Sequence, residues 1–196
     1  GPQGLYEIVQ LDPQADRKLP EGLSAVIICG AFGMPDSLKY SIDQFLMNGG
    51  QVIIGLDPMM QAGQAGGMEQ AFPSLPTIEE QLAQYGVEFN KKLVVDPECA
   101  LATFSAGIFQ LRQNYPLWPR ITPAGFNEEI AAVAKLESLV MPWTCPLEAN
   151  PPEGAEVRPL ASTTEKSYVI SSPFDLSPEQ DWAFLRTSTE EEGPFV

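Results

Sequence analysis

Ala25-Val26-Ile27-Ile28-Cys29 and, one helix later, Gln51-Val52-Ile53-Ile54-Gly55-Leu56 are the stretches on which the reading of this fold turns. Both are continuous runs rich in β-branched residues. Such runs mark strands buried on both faces, as in a parallel sheet covered by helices. Between them Gly30 to Gly33 turns the chain and Asp36 or Ser37 caps a helix. Leu38, Ile42, Phe45 and Leu46 then share one apolar face, and Gly49 and Gly50 end the helix in the left-handed conformation. The whole is a β-turn-α-turn-β unit with a right-handed crossover.

Outward from this unit, Tyr6 to Leu11 is a short strand candidate closed by Asp12-Pro13. Met59 to Pro76, rich in Gly, Gln and Met, reads as a mobile loop. Thr77-Ile78-Glu79-Glu80 is a capping-box pattern that opens a second helix, with Ile78, Leu82 and Tyr85 on one face and Gly86 at its end. Lys92 to Asp96 is another strand, closed again by Asp-Pro. Ala102 to Leu111 has mixed periodicity and takes no assignment. Asn127 caps a helix from Glu128 to about Leu136. Leu139 to Trp143, Val157 to Leu160 and Tyr168 to Ile170 are short strands. The alternation predicts a three-layer α/β domain with a mainly parallel sheet and a loop-rich C-terminal part. It spans residues 1–174, and an acidic tail, 175–196, leads into a truncated strand. Ile27→Ala or Ile53→Ala should cost roughly 2–5 kcal/mol, and Phe45→Ala a similar amount if its helix face is core.

Composition narrows the chemistry. The 196 residues include no histidine, so Ser-His-Asp and Cys-His catalysis and histidine-bearing zinc sites are excluded. Eleven Lys and Arg against 26 Asp and Glu give a net charge of −15, which opposes binding to nucleic acid or anionic lipid. No apolar stretch approaches the roughly 18 residues of a membrane span. Cys29 ends an apolar run and is expected to be a buried small hydrophobe. Whether Cys99 and Cys145 pair is open, because spacing does not fix their distance. The chain starts at Gly1-Pro2 without methionine and stops at Gly193-Pro194-Phe195-Val196. It is expected to be a piece of a longer protein.

Candidate chemistry is sparse. Gly30-Ala31-Phe32-Gly33 lacks the dinucleotide and P-loop patterns, so a tight turn is the better reading. Cys29 is no nucleophile elbow, since its flanking positions are Ile27 and Ala31. Asp57 and Asp96 end strands before prolines, where Asp-Pro ordinarily stops a strand. No catalytic residue, metal ligand or cofactor is assigned. Ligands of parallel sheets sit beyond the carboxyl ends of the strands. Here that edge carries the candidate ligand-binding residues Ala31, Phe32, Gly33, Asp57, Met59, Met60 and Asp96.

The order of segments resembles a known family. Val26-Ile-Ile-Cys-Gly30 is followed by Ile42-Asp43-Gln-Phe-Leu46-Met-Asn-Gly-Gly50, which looks like the motif "id-x-[YF]-l-x-x-GG". Then come Val52 to Pro58, Leu82 to Asn90, Leu93 to Asp96, Asn114-Tyr-Pro116 and Asn127. Pro159-Leu-Ala-Ser-Thr163 with Ser167-Tyr168 resembles "pLl-x-TS…SW", with Tyr168 where tryptophan is usual. The family is the GldG-like auxiliary component of ABC-type transport systems associated with gliding motility. The resemblance implies a fold like flavodoxins and class I glutamine amidotransferases without their active sites. It implies an extracytoplasmic, periplasmic domain, anchored by membrane segments outside this chain and working with an ABC permease and ATPase. The function expected is non-enzymatic binding of a saccharide, peptide or protein, or scaffolding. The alternatives are a carboxylate-only enzyme such as a glycosidase using Asp57, Asp96 or Glu98, and a purely structural assembly domain.

Overall fold

The computed structural model of the protein describes residues 7–12, 15–30, 33–57, 59–63, 69–73, 78–106, 109–172, 174–189 and 191–196. They form two compact units, Gly1–Leu56 with Leu75–Glu80, and Asp57–Ser74 with Gln81–Val196.

The first unit holds β1 (Ala25–Cys29), α1 (Asp36–Met47) and β2 (Gln51–Gly55). β1 and β2 pair in parallel, from Ala25 opposite Gln51 to Cys29 opposite Gly55. The expected helix forms and buries Leu38 and Ile42, although Pro35 stands at its N-cap without a side-chain cap. Gly49 lies at φ +87°, as its place at the helix end requires. Among the described residues, however, the sheet has two strands. Ile28 is buried, but Ile27 is 67% and Ile53 is 60% exposed. The expectation that both are core is corrected, and so is the burial of Cys29, whose thiol is exposed. A β-branched run states a preference for extended backbone. It does not supply a second layer to cover the outer face. Glu7 to Leu11 carries no regular structure, so the first strand candidate does not form there, and Tyr6 lies outside the described residues.

The second unit is built from short antiparallel pairings. β3 (Met59–Gly63), β4 (Glu69–Pro73) and β12 (Phe174–Asp175) form one sheet in the order β12-β4-β3, where a loop was expected. After α2 (Glu79–Gln84), β5 (Val87–Phe89) pairs with β10 (Leu147–Ala149). β6 (Leu93–Val95) pairs with β11 (Tyr168–Ile170). β7 (Cys99–Ala106), β8 (Phe109–Ile121) and β9 (Leu139–Val140) make the largest sheet, in that order. Proline has no N–H for a ladder. Around Pro116 and Pro119 of β8, pairing to β7 slips from Leu101–Asn114 to Cys99–Pro119. The carbonyls freed there accept from other segments: Pro116 O from Asp96 N at 2.9 Å and Leu117 O from Trp143 N at 2.9 Å. Tyr115 and Leu117 thereby turn inward.

Those two join Met59, Leu93, Val95, Ala102, Tyr168, Phe174 and Leu176 in the core, with Trp118, Trp143 and Trp182 packed against it. Tyr115 donates its hydroxyl to Leu176 O at 2.7 Å, and Tyr168 donates to Trp182 O at 2.7 Å. The segment after Asp175 thus contributes to the core, with α3 (Trp182–Thr187) capped by Asp181, which accepts from Phe184 N.

The fold expectation is therefore corrected. Among the described residues there is one parallel pair and the remaining pairings are antiparallel, so the molecule is not a three-layer, mainly parallel, flavodoxin-like or amidotransferase-like fold. Leu93 to Val95 is fully buried as expected, but β11 runs against it. Apolar continuity carries no information on strand direction.

Candidate functional site

A solvent-open cavity of about 560 Å³ lies in the second unit, between the end of β8 and the segment Pro159 to Glu165. One wall begins at Arg120 and Ile121, then passes through Thr122 and a 3-10 turn, Pro123–Gly125, to Phe126 and Asn127. The other wall is Pro159 to Glu165, with Pro194 beside it. Backbone bonds clamp the walls together: Asn127 N to Leu160 O at 3.0 Å and Ser162 N to Gly125 O at 2.8 Å. A Cβ on Gly125 would stand 2.4 Å from Ser162 O, so only glycine permits this approach. The Asn127 side chain donates to Pro159 O at 3.0 Å and accepts from Glu129 N at 3.0 Å.

Beneath the second wall lies a polar knot. Asp96, 1% exposed, accepts from Thr164 N, Thr164 Oγ1 and Glu98 N, each at 2.8 Å. Thr163 Oγ1 and Ser167 Oγ are 2.8 Å apart, and Ser167 donates to Thr164 O at 2.6 Å. Thr163 also ties down the C-terminal segment, accepting from Phe195 N at 2.9 Å through its hydroxyl. These charge-assisted and neutral bonds satisfy the buried groups and rigidify the wall.

The cavity offers hydroxyls (Thr122, Ser162), main-chain groups, and apolar floor from Phe126 and Ile121. Its cation, Arg120, is held by Glu98, with Nε to Oε1 at 2.9 Å. Its carboxylate is Glu165, which is exposed. This set suits hydrogen bonding to a neutral polar guest. Neither Asp96 nor Glu98 lines it.

Of the sequence-derived ligand residues, Ala31 and Phe32 lie outside the described residues. Gly33, in the first unit, is exposed at φ +64°. Asp57 is exposed, while Met59 is packed in the core of the second unit. Met60 lies in β3, and its side chain is outside the described residues. Asp96 is withdrawn into the knot. Sequence reasoning missed Arg120, Thr122 and Ser162 as cavity residues, whereas Phe126 is one of the loop-half aromatics that can stack on a sugar or clamp a peptide. The run Ser162-Thr163-Thr164 between Pro159 and Ser167 was the available signal, since clustered small hydroxyls bond nearby backbone.

Cys99 and Cys145 are free and buried. Burial raises both thiols, Cys145 to about 12. Among the described residues no group of three or more Cys, Asp or Glu is arranged to hold a metal ion. No described helix is long and apolar enough to cross a membrane.

The knot and cavity use residues of the segment order noted in the sequence, and the whole chain places the protein in a class. Residues 2–195 match the family of auxiliary components described as an ABC-type uncharacterized transport system, and the chain belongs to that family. It is similar to an uncharacterized protein of Borreliella burgdorferi, 20% identical over 172 residues, 85% of this chain and 33% of that protein. The chain thus spans about a third of the length of this relative. No solved structure matches.

Proposed function

We propose that this chain is a non-enzymatic binding domain on the extracytoplasmic, periplasmic face of an ABC-type transport system. It is tethered by membrane segments outside the chain and works with the permease and ATPase subunits of that system. Membership of the auxiliary family carries this reading. The GldG-like motifs, Ile42 to Gly50 above all, support a relation to the gliding-motility branch. The ligand is a neutral saccharide or a short peptide, held in the cavity between Arg120 to Asn127 and Pro159 to Glu165. A cavity of this size, with few polar groups over an apolar floor, fits such a guest. The cavity is preferred to the strand-end set because Met59 and Asp96 are committed to the core and the knot.

Two measurements test the proposal. Full-length protein extracted from membranes is expected to co-purify with permease and ATPase and to be cleaved by protease added from the periplasmic side. Cytosolic fractionation, or purification without either subunit, would sink the transport role. Chemical-shift mapping of this chain against saccharides and peptides is expected to perturb Thr122, Phe126 and Ser162. Shifts confined to Gly33 and Asp57 would move the site to the strand ends.

A further inference from the structure

We propose that two copies of this chain pair antiparallel along β7, joining their β7-β8-β9 sheets into one continuous sheet. β7 is the edge strand of that sheet. On its outer side no described strand and no described backbone hydrogen bond reaches it. Its eight residues, Cys99-Ala-Leu-Ala-Thr-Phe-Ser-Ala106, include no charge and no proline. Proteins guard open edges with lysine, proline, bulges or shortness. Here the irregularity lies at the base, between Cys99 and Leu101, and the pairing from Leu101 to Ala106 is regular. An edge of this length and neutrality is a template for strand addition.

Charge selects the occupant. Each copy carries −15, so two copies approach with least repulsion where neither presents a carboxylate. β7 is such a surface. The charge set beside it is positive: exposed Arg112 stands opposite Thr103 on β8 and makes no ion pair among the described residues. Arg112 therefore faces the acidic second copy favourably. A basic peptide would find no carboxylate on β7 to answer it.

Symmetry restricts the register to one in which a β7 residue, or a pair of neighbours, stands on the axis. An antiparallel pair about a two-fold axis keeps like faces together, and with the axis at Ala102, near the middle of β7, Ala102 meets Ala102 of the second copy and Leu101 meets Thr103. Leu101 and Thr103 are exposed and Ala102 is buried, so the join extends the sheet without disturbing the covered face.

Sedimentation equilibrium of the whole chain over a concentration series is the test. The mass is expected to rise from 21.4 kDa to twice that value. Thr103→Lys is expected to weaken association at least about tenfold, since it sets lysine into the seam. Thr103→Pro should do the same by removing an edge donor. Ile27→Asp, in the exposed face of the first unit, should leave the dimer intact. Should a seam variant fold poorly, a Cys29→Ser chain carrying Leu101→Cys and Thr103→Cys reports instead. It is expected to yield a covalent dimer on mild oxidation and is overturned by recovery of monomer alone. A wild-type mass of 21.4 kDa throughout would end the proposal. So would association that survives both Thr103 variants, or that is lost in Ile27→Asp instead.

Discussion

Asp96 is a strand-end carboxylate whose three hydrogen bonds hold the turn after β6 to Thr164. Removing it strands two partly buried backbone donors, so Asp96→Ala should lower stability by about 2–4 kcal/mol. A urea midpoint unchanged from wild type would show that the knot carries no load. The apolar residues divide differently from what their chemistry suggests. Leu93 has no exposed surface, and Leu93→Ala should cost about 2–5 kcal/mol. Ile27→Ala should stay within about 0.5 kcal/mol, because a mostly exposed side chain leaves no cavity. The same denaturation series measures both. Residue type alone did not separate these two positions, since each sits in a run of β-branched and aliphatic neighbours. What separates them is the presence of a packed layer, which no local window encodes.

The elements that were legible are those whose ends and period agree. α1 has its apolar face, its glycine stop and a flanking strand on each side, and it forms as read. Glu128 to Leu136 has a good cap at Asn127 and favourable acidic residues, yet it settles as a string of turns. Ile130 and Val133 are half-buried and their neighbours exposed, so no packed face stabilises the helix. β7 and β8 were illegible because the prolines of β8 and the register slip between the two strands erase any regular period. The direction of β6 was illegible because its partner, β11, lies far along the chain. The cavity was not legible as a cavity, since its walls, Arg120 to Asn127 and Pro159 to Glu165, meet across a long stretch of chain. α3 went unread because its tail setting looked merely acidic, although Asp181 caps it. Asp181→Ala should cost about 1 kcal/mol, the usual value of a lost N-cap. A thermal melt of the variant checks this, and an unchanged midpoint would mean the cap is idle.

At the scale of the molecule, buried acids set the alkaline limit. Burial pushes the Cys145 thiol from 9.0 up to about 12 and the Tyr168 phenol from 10.0 up to about 12. The unfolded chain loses these protons first, while the native state keeps them. Their stabilisation is fully present below pH 9.0 and is lost as pH rises towards about 12. The denaturant midpoint should hold steady below pH 9.0, then fall, and fall less steeply in Cys145→Ala. A midpoint that rises in this range would reverse the assignment.

The three tryptophans, Trp118, Trp143 and Trp182, all belong to the second unit and gather around Tyr115 and its neighbours. Trp118 and Trp143 stand edge to face at 5.5 Å, close enough for their indole transitions to couple. Fluorescence excited in the indole band therefore watches one unit and is blind to the first, where Tyr40 is the aromatic hydroxyl among the described residues. A melt followed by indole emission and by backbone ellipticity will coincide only if the two units lose structure together. The near-ultraviolet couplet of the indole pair will mark the moment at which the second unit alone gives way.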